Sequence, residues 1–303
     1  MAIESRSPPP GAAPTRGMPG CGISGIILSI MAFLTSLHAL ADLPRHNPVP
    51  GGIAVIPLAV ASNDKPVVKF GERPVHVARD QGGWSAVVGL PCDILPGNYI
   101  VTVSGGQQDH TSVELGILPH SPRLPDPDAG NGGGHVQGRS PTITLPQGVS
   151  ARSIVNITMF SRIDYDHALA AGMDPDFQFR APVESTYSVD YGKLLVDGNL
   201  WCHDYLSFFL PAGNRVYAPA PGVVAGIDPT QQGGSRIVVA HGDAVVSVLA
   251  NLQDVPVEVG QAVEQGEMLG KVGALAGDRT GRLDWAVALN GYRIDPLQFA
   301  SAP

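Results

Sequence analysis

NLWCHDYLSFFLPAGNRVYAPAPGVVAG (199–226), GSRIVVAHGDAVVSVLANL (234–252), VEVGQAVEQGEMLGKVG (257–273) and GRLDWAVALNGYRIDPLQF (281–299) follow one another in the last third of the chain. Short apolar runs rich in Val, Ile, Tyr and Phe, such as Ile237 to Ala240 and Val245 to Leu249, alternate with turns of Gly, Pro, Asn and Asp, which is the pattern of consecutive short strands. Glycines at 213, 222, 242, 260, 266, 270 and 273 stand at the junctions, where a tight turn or a strand crossing leaves no room for a Cβ. The stretch therefore predicts a compact, strongly coiled antiparallel β unit.

Four blocks in order carry a family likeness: the run order itself, the VYAPAPGVV hairpin (216–224), the turn-rich VPVEVGQAVEQGEMLGKVG block and the closing NGYRIDPLQF. On these residues the segment resembles the lysostaphin or LytM-type zinc endopeptidases, which cut peptide cross-links in bacterial peptidoglycan. The resemblance implies a LytM-type antiparallel β barrel-sandwich domain, placed at 187–303, entered through FQFRAPVESTYSVDYG (177–192). The VEVGQAVEQGEMLGKVG turns also resemble the half-barrels of biotinyl or lipoyl domains and of efflux-pump adaptors. Those would need a Lys at a hairpin tip or long heptads, whereas Lys271 lies inside a strand-like run.

Function transfers residue by residue, not with the fold. In the family an H-x-x-x-D block supplies two zinc ligands, a Y-x-H-L block a catalytic His, and an H-x-H strand a second catalytic His and the third ligand. This chain has His203 and Ser207 in the first block, Asn251 in the second, and Arg282 and Asp284 in the third. His203 is the one family ligand retained. No catalytic residue is expected, since Asn251 and Arg282 hold those positions.

A catalytic zinc needs three protein ligands and an open fourth position to bring bound water to a pKa near ~7. Neutral Ser207 is a poor ligand, and Arg282 brings a fixed positive charge. The resemblance thus implies a non-catalytic, cofactor-free relative that binds peptidoglycan or regulates a cell-wall hydrolase, with Arg282 paired to Asp204 or Asp284 in the old cleft. Tyr205 and Asp204 would line that cleft, and Tyr205, at a family Gly position, would narrow it. The alternative is an active zinc metalloendopeptidase with an altered ligand set, in which Asp284 or Asp204 joins His203.

The 303 residues allow about two domains, and a 44% hydrophobic content with only 15% charged residues is enough for a core. A net charge of −8 without a Lys/Arg cluster excludes a nucleic-acid partner. Residues 1–41 read as a signal peptide: Arg6 and Arg16 precede an apolar run from Cys21 to Ala41 that ends in an Ala39-Leu40-Ala41 site. The run is also long enough for an uncleaved amino-terminal anchor, which would be the route to a membrane. Either way the chain is expected to be exported to the periplasm or cell envelope of a bacterium.

From 42 to 118, short runs spaced about 8 to 12 residues apart predict an Ig-like β-sandwich, so that the chain as a whole is all-β. VPGGIAVIPL, VKFGERPVHV and GWSAVVGLPCDILPGNY resemble the amino-terminal domain that precedes the peptidase domain in a bacterial subgroup of the family. Within it Trp84 reads as a core or edge residue and His76 as a solvent-facing strand residue. Residues 119–147 form a Gly/Pro linker and 148–186 a connecting segment, whose Asp164, Asp166, His167, Asp174 and Asp176 read as a solvated acidic loop. Cys92 and Cys202 remain after cleavage. An oxidising compartment permits their pairing, but lying in different domains they need not meet, and Cys92 also suits an apolar core.

Overall fold

The computed structural model describes residues 43–60, 63–80, 83–105, 108–119, 175–186, 190–196, 199–230, 233–275 and 279–300. The signal peptide or anchor, the linker beyond 119 and most of the acidic loop lie outside the described residues. No described helix is long and apolar enough to cross a membrane. From Leu40 onward the chain forms one compact unit, and it is all-β apart from a single 3-10 turn at Pro296–Gln298 among the described residues.

The first part is a sandwich of two antiparallel sheets. β1 (Ile53–Leu58), β5 (Gly83–Gly89) and β4 (His76–Asp80) make one sheet in the order β1-β5-β4. β3 (Arg73–Pro74), β2 (Val67–Phe70), β6 (Gly97–Gly105) and β7 (Gln108–Ile117) make the other. Alternate residues such as Ala54, Ile56, Ala86 and Val88 meet Val68, Phe70, Val101 and Val103 between the sheets. Trp84 packs at the margin of this core, with the Arg79 guanidinium 5.3 Å from its ring.

Ile53 and Val87, on the opposite face of the first sheet, belong to the hydrophobic core of the second part. That sheet is therefore covered on both sides, which is why β5 is buried at five consecutive positions rather than at every second one. His76 departs from expectation for the same reason. It is 3% exposed, and its Nδ1 lies 2.7 Å from Asp243 Oδ2 in the second part.

The second part starts with a two-stranded hairpin, β8 (Gly192–Val196) and β9 (Asn199–His203). A nine-stranded antiparallel sheet follows, built from β10 (Leu206–Pro211), β11 (Arg215–Tyr217), β12 (Gly222–Pro229), β13 (Ser235–Gly242), β14 (Val245–Gln253), β15 (Ala262–Val263), β16 (Met268–Val272), β17 (Thr280–Leu289) and β18 (Tyr292–Ile294). Its main path runs β10-β17-β14-β13-β12-β15, with β11, β16 and β18 attached beside it, and it coils without a closing pair among the described residues. Leu206, Phe208, Leu210, Leu283, Trp285 and Val287 fill the core on one face. Phe177, Phe179 and Val183, ahead of the hairpin, pack into that core as well. Lys271 lies within β16 and pairs with Asp254 at 3.0 Å.

The two parts are fastened by directed contacts. Asn290, at φ +44° in the Asn290-Gly291 turn between β17 and β18, accepts from Gly89 N at 2.7 Å and donates to Gly89 O at 3.4 Å. Arg73 donates to Gly291 O at 2.6 Å and lies over the Tyr292 ring. The Asp295 amide donates to Gly51 O at 2.8 Å. Cys92 and Cys202 do meet, as a disulfide with a Cα separation of 6.0 Å.

Candidate functional site

The register of the large sheet brings the family positions together. β10 and β17 pair so that Ser207 faces Asp284 and Phe209 faces Arg282. Residues 282 and 284 lie on the face of β17 opposite Leu283 and Trp285, so polar groups and core alternate along one strand. β14 approaches from the other side of β17, with Ala250 opposite Asp284. On its far side β14 pairs with β13, Leu249 with Ile237 and Leu252 with Ser235, which leaves Ala250 and Asn251 opposite Arg236 alone. This is a β-bulge, and Asn251 takes a left-handed φ of +68° there. The bulge aims its amide at Asp284.

Asp284 is the hub. Its Oδ1 accepts from Ser207 Oγ at 2.5 Å and from Arg282 Nε at 2.7 Å, and its Oδ2 accepts from Asn251 Nδ2 at 3.0 Å. Arg282 Nη2 reaches Tyr205 Oη at 3.4 Å, and the guanidinium lies 5.9 Å from the Phe209 ring centre. The Tyr205 ring packs on His203 at 4.0 Å between centroids. His203, Tyr205, Ser207, Asn251, Arg282 and Asp284 are all buried: Ser207 and Asp284 are 0% exposed, and the most open of the six, Asn251, is 7%, while Phe209 is half-buried. The surface cleft lined by Gln178, Arg180, Val183, Glu184 and Gln265 contains none of them.

The charges follow from this closure. Burial alone would lower the Arg282 pKa, but the adjacent Asp284 carboxylate and its hydrogen bond raise it above its ordinary value. Burial raises the Tyr205 phenol, and Asp284 nearby adds to the rise. Burial also lowers His203 to about 4, so at neutral pH the ring is uncharged. Its Nδ1 lies 2.7 Å from Asp190 O, which fixes the proton on Nδ1 and leaves the Nε2 lone pair buried without a partner. Asp204 turns away: it pairs with Arg293 at 2.8 Å, and burial raises its carboxyl above the usual range. Of the two partners expected for Arg282, the structure selects Asp284.

Sequence matches place this geometry in a family. Residues 202–296 match the model described as Peptidase family M23, and residues 46–116 match Peptidase family M23 N-terminal domain. The chain belongs to peptidase family M23. It is similar to the solved structure of a putative peptidase M23 from Pseudomonas aeruginosa, at 26% identity over 85% of this chain and 96% of that one, with a TM-score of 0.62. A zinc-containing peptidase from Vibrio cholerae matches at 23% identity over 42% of this chain and 41% of that one (TM-score 0.35). The catalytic domain of lysostaphin from Staphylococcus simulans matches at 24% over 37% and 88% (TM-score 0.31). No curated protein matches the chain.

The residues of this cluster do not fit the family's zinc. A divalent metal needs ligand lone pairs, and His203 Nε2 supplies one. Asp284 has donors on both oxygens, one of them a guanidinium, and Ser207 spends its proton on the same carboxylate. The cationic place beside Asp284 is already filled by a side chain.

Proposed function

We propose that this chain is a non-catalytic member of family M23 in the bacterial cell envelope, which binds peptidoglycan or regulates a cell-wall hydrolase. The observation that carries the reading is the saturation of Asp284 by Arg282, Ser207 and Asn251. A hydrolytic site of this class works through a metal-bound water and a general base. Here the groups at those positions are spent on one another and closed from solvent. The leader-like residues 1–41 and the disulfide, which suits an oxidising compartment, support an exported location.

The unpartnered Nε2 of His203 favours a second reading, an active zinc metalloendopeptidase with an altered ligand set, because that tautomer is the one a metal-ligating His holds. One experiment separates the two. Full-length protein incubated with zinc and desalted is subjected to elemental analysis, then mixed with purified sacculi. The proposal expects sub-stoichiometric zinc and no cross-link cleavage, together with co-sedimentation or a change in the rate of an added hydrolase. One zinc per chain with release of cleaved cross-links would establish the second reading.

A further inference from the structure

The Cys92–Cys202 bond joins the β5–β6 loop of the first part to β9, one residue before His203. Among the described residues the β8–β9 hairpin is a sheet of its own: Gly192 pairs with His203 and Lys193 with Cys202, and neither strand joins the nine-stranded sheet. A two-stranded hairpin is marginal in water unless something else covers or ties it. Side chains at its base supply part of the tie. Tyr191 donates to Arg293 O at 3.0 Å, and Asp204 pairs with Arg293 at 2.8 Å. Both ties converge on one residue of β18. The disulfide is the covalent fastening that reaches the other part of the molecule, beside the Tyr191 ring, which lies against Gly51.

We propose that Cys92–Cys202 is a redox latch that seats the β8–β9 hairpin on the body of the protein, so that the hairpin is held down along its length only in the oxidised chain. His203 receives its fixed orientation from Asp190 O at the foot of the same hairpin. Opening the bond frees the hairpin beyond its base, leaving His203 and Asp190 held through the Tyr191 and Asp204 ties to Arg293, while Ser207, Asn251, Arg282 and Asp284 stay on the large sheet.

Opening needs a dithiol reductant. One thiolate attacks the Cys202 sulfur, on the residue of the pair that is only half-buried, Cys92 being 5% exposed. Cys92 leaves as a thiolate and takes up a proton. The second thiol of the reductant then displaces Cys202, so two electrons and two protons pass to the protein and the reductant closes into a cyclic disulfide.

The test is hydrogen–deuterium exchange on the full chain, oxidised, reduced with dithiothreitol until alkylation counts both thiols, and as Cys202→Ala. We expect amides of β8 and β9 to exchange at least tenfold faster in the reduced chain and in the variant, with β13 and β14 unchanged, and reoxidation to restore protection. Unchanged exchange in the hairpin would overturn the proposal. So would equal loss of protection in β13 and β14, because the bond would then hold the whole fold and not the hairpin.

Discussion

Ser207 Oγ donates to Asp284 Oδ1 across two neighbouring strands at 2.5 Å, with both side chains fully buried. A buried carboxylate is tolerable only when its charge is compensated and its lone pairs are used. Arg282 supplies the compensation and Asn251 the remaining donor. The cluster thus resembles a solved polar core, and its energetics make the first prediction. Asp284→Ala strands the Arg282 guanidinium and should cost about 3–5 kcal/mol, whereas the double change Arg282→Met with Asp284→Leu should cost much less or stabilise. Urea denaturation of the two variants checks this; equal losses would mean that the pair is not acting as a unit.

Stability should fall on mild acidification. His203 and His241 both titrate at about 4 in the folded chain, chiefly because burial disfavours the imidazolium, against about 6.5 for an unperturbed ring. The unfolded chain therefore binds more protons between these values. The contribution of each histidine is complete above pH ~6.5 and is lost as pH falls toward ~4, up to about 3 kcal/mol apiece. Asp243, which His76 and Lys65 hold down at about 2, loses its share only below the ordinary carboxylate range. Unfolding free energies from pH 7 to 4 should show the decline, and His203→Gln should flatten it by roughly half.

Much of this was legible in the sequence, and the reasons differ by feature. The turn glycines and the β-branched runs are local signals, so the all-β fold could be read directly, while the gathering of His203, Ser207, Asn251, Arg282 and Asp284 was implied only through the family resemblance of the four blocks. The fate of Asp204 could not, because its choice of Arg293 over Arg282 depends on where β18 lies against the end of β9. His76 misled for a similar reason. A Val-His-Val alternation marks an outward face only if nothing covers that face, and a second part packs there. The disulfide was hidden by distance: two cysteines 110 residues apart give no local sign of meeting.

The joint between the two parts should be sensitive at one side chain. Asn290 uses its carboxamide as a short strand edge, bonding both the N–H and the C=O of Gly89, while holding a φ that suits Asn or Gly. Asn290→Gly keeps the turn and should lose about 1–2 kcal/mol through the unpaired Gly89 groups. Asn290→Ala adds strain and should lose about 1 kcal/mol more. Gly89→Ala attacks the same contact from the other side, since a Cβ there would sit 2.9 Å from both Leu289 Cβ and Leu289 O. Thermal unfolding of the three variants ranks them; an Asn290→Gly protein as stable as the parent would show that the carboxamide carries none of the joint.

Asn251 gives the sharpest separation between backbone and side-chain demands within the site. Its left-handed φ belongs to the bulge in β14, and Asn, Asp, His and Gly are the residues that accept such a backbone most readily. The His that the family resemblance implies at this position and the Asn found here accept the same backbone. Asn251→Gly should retain the bulge and lose the donor to Asp284 Oδ2, at a cost of about 1–3 kcal/mol for the unsatisfied buried oxygen. Asn251→Val, β-branched and unable to donate, should cost still more, because strain of about 1–3 kcal/mol is added to the same lost bond. Asn251→His keeps both a compatible backbone and a ring N–H donor, so it should lie nearest the parent in a denaturation series. If Val were tolerated as well as His, the bulge would not be what places this residue.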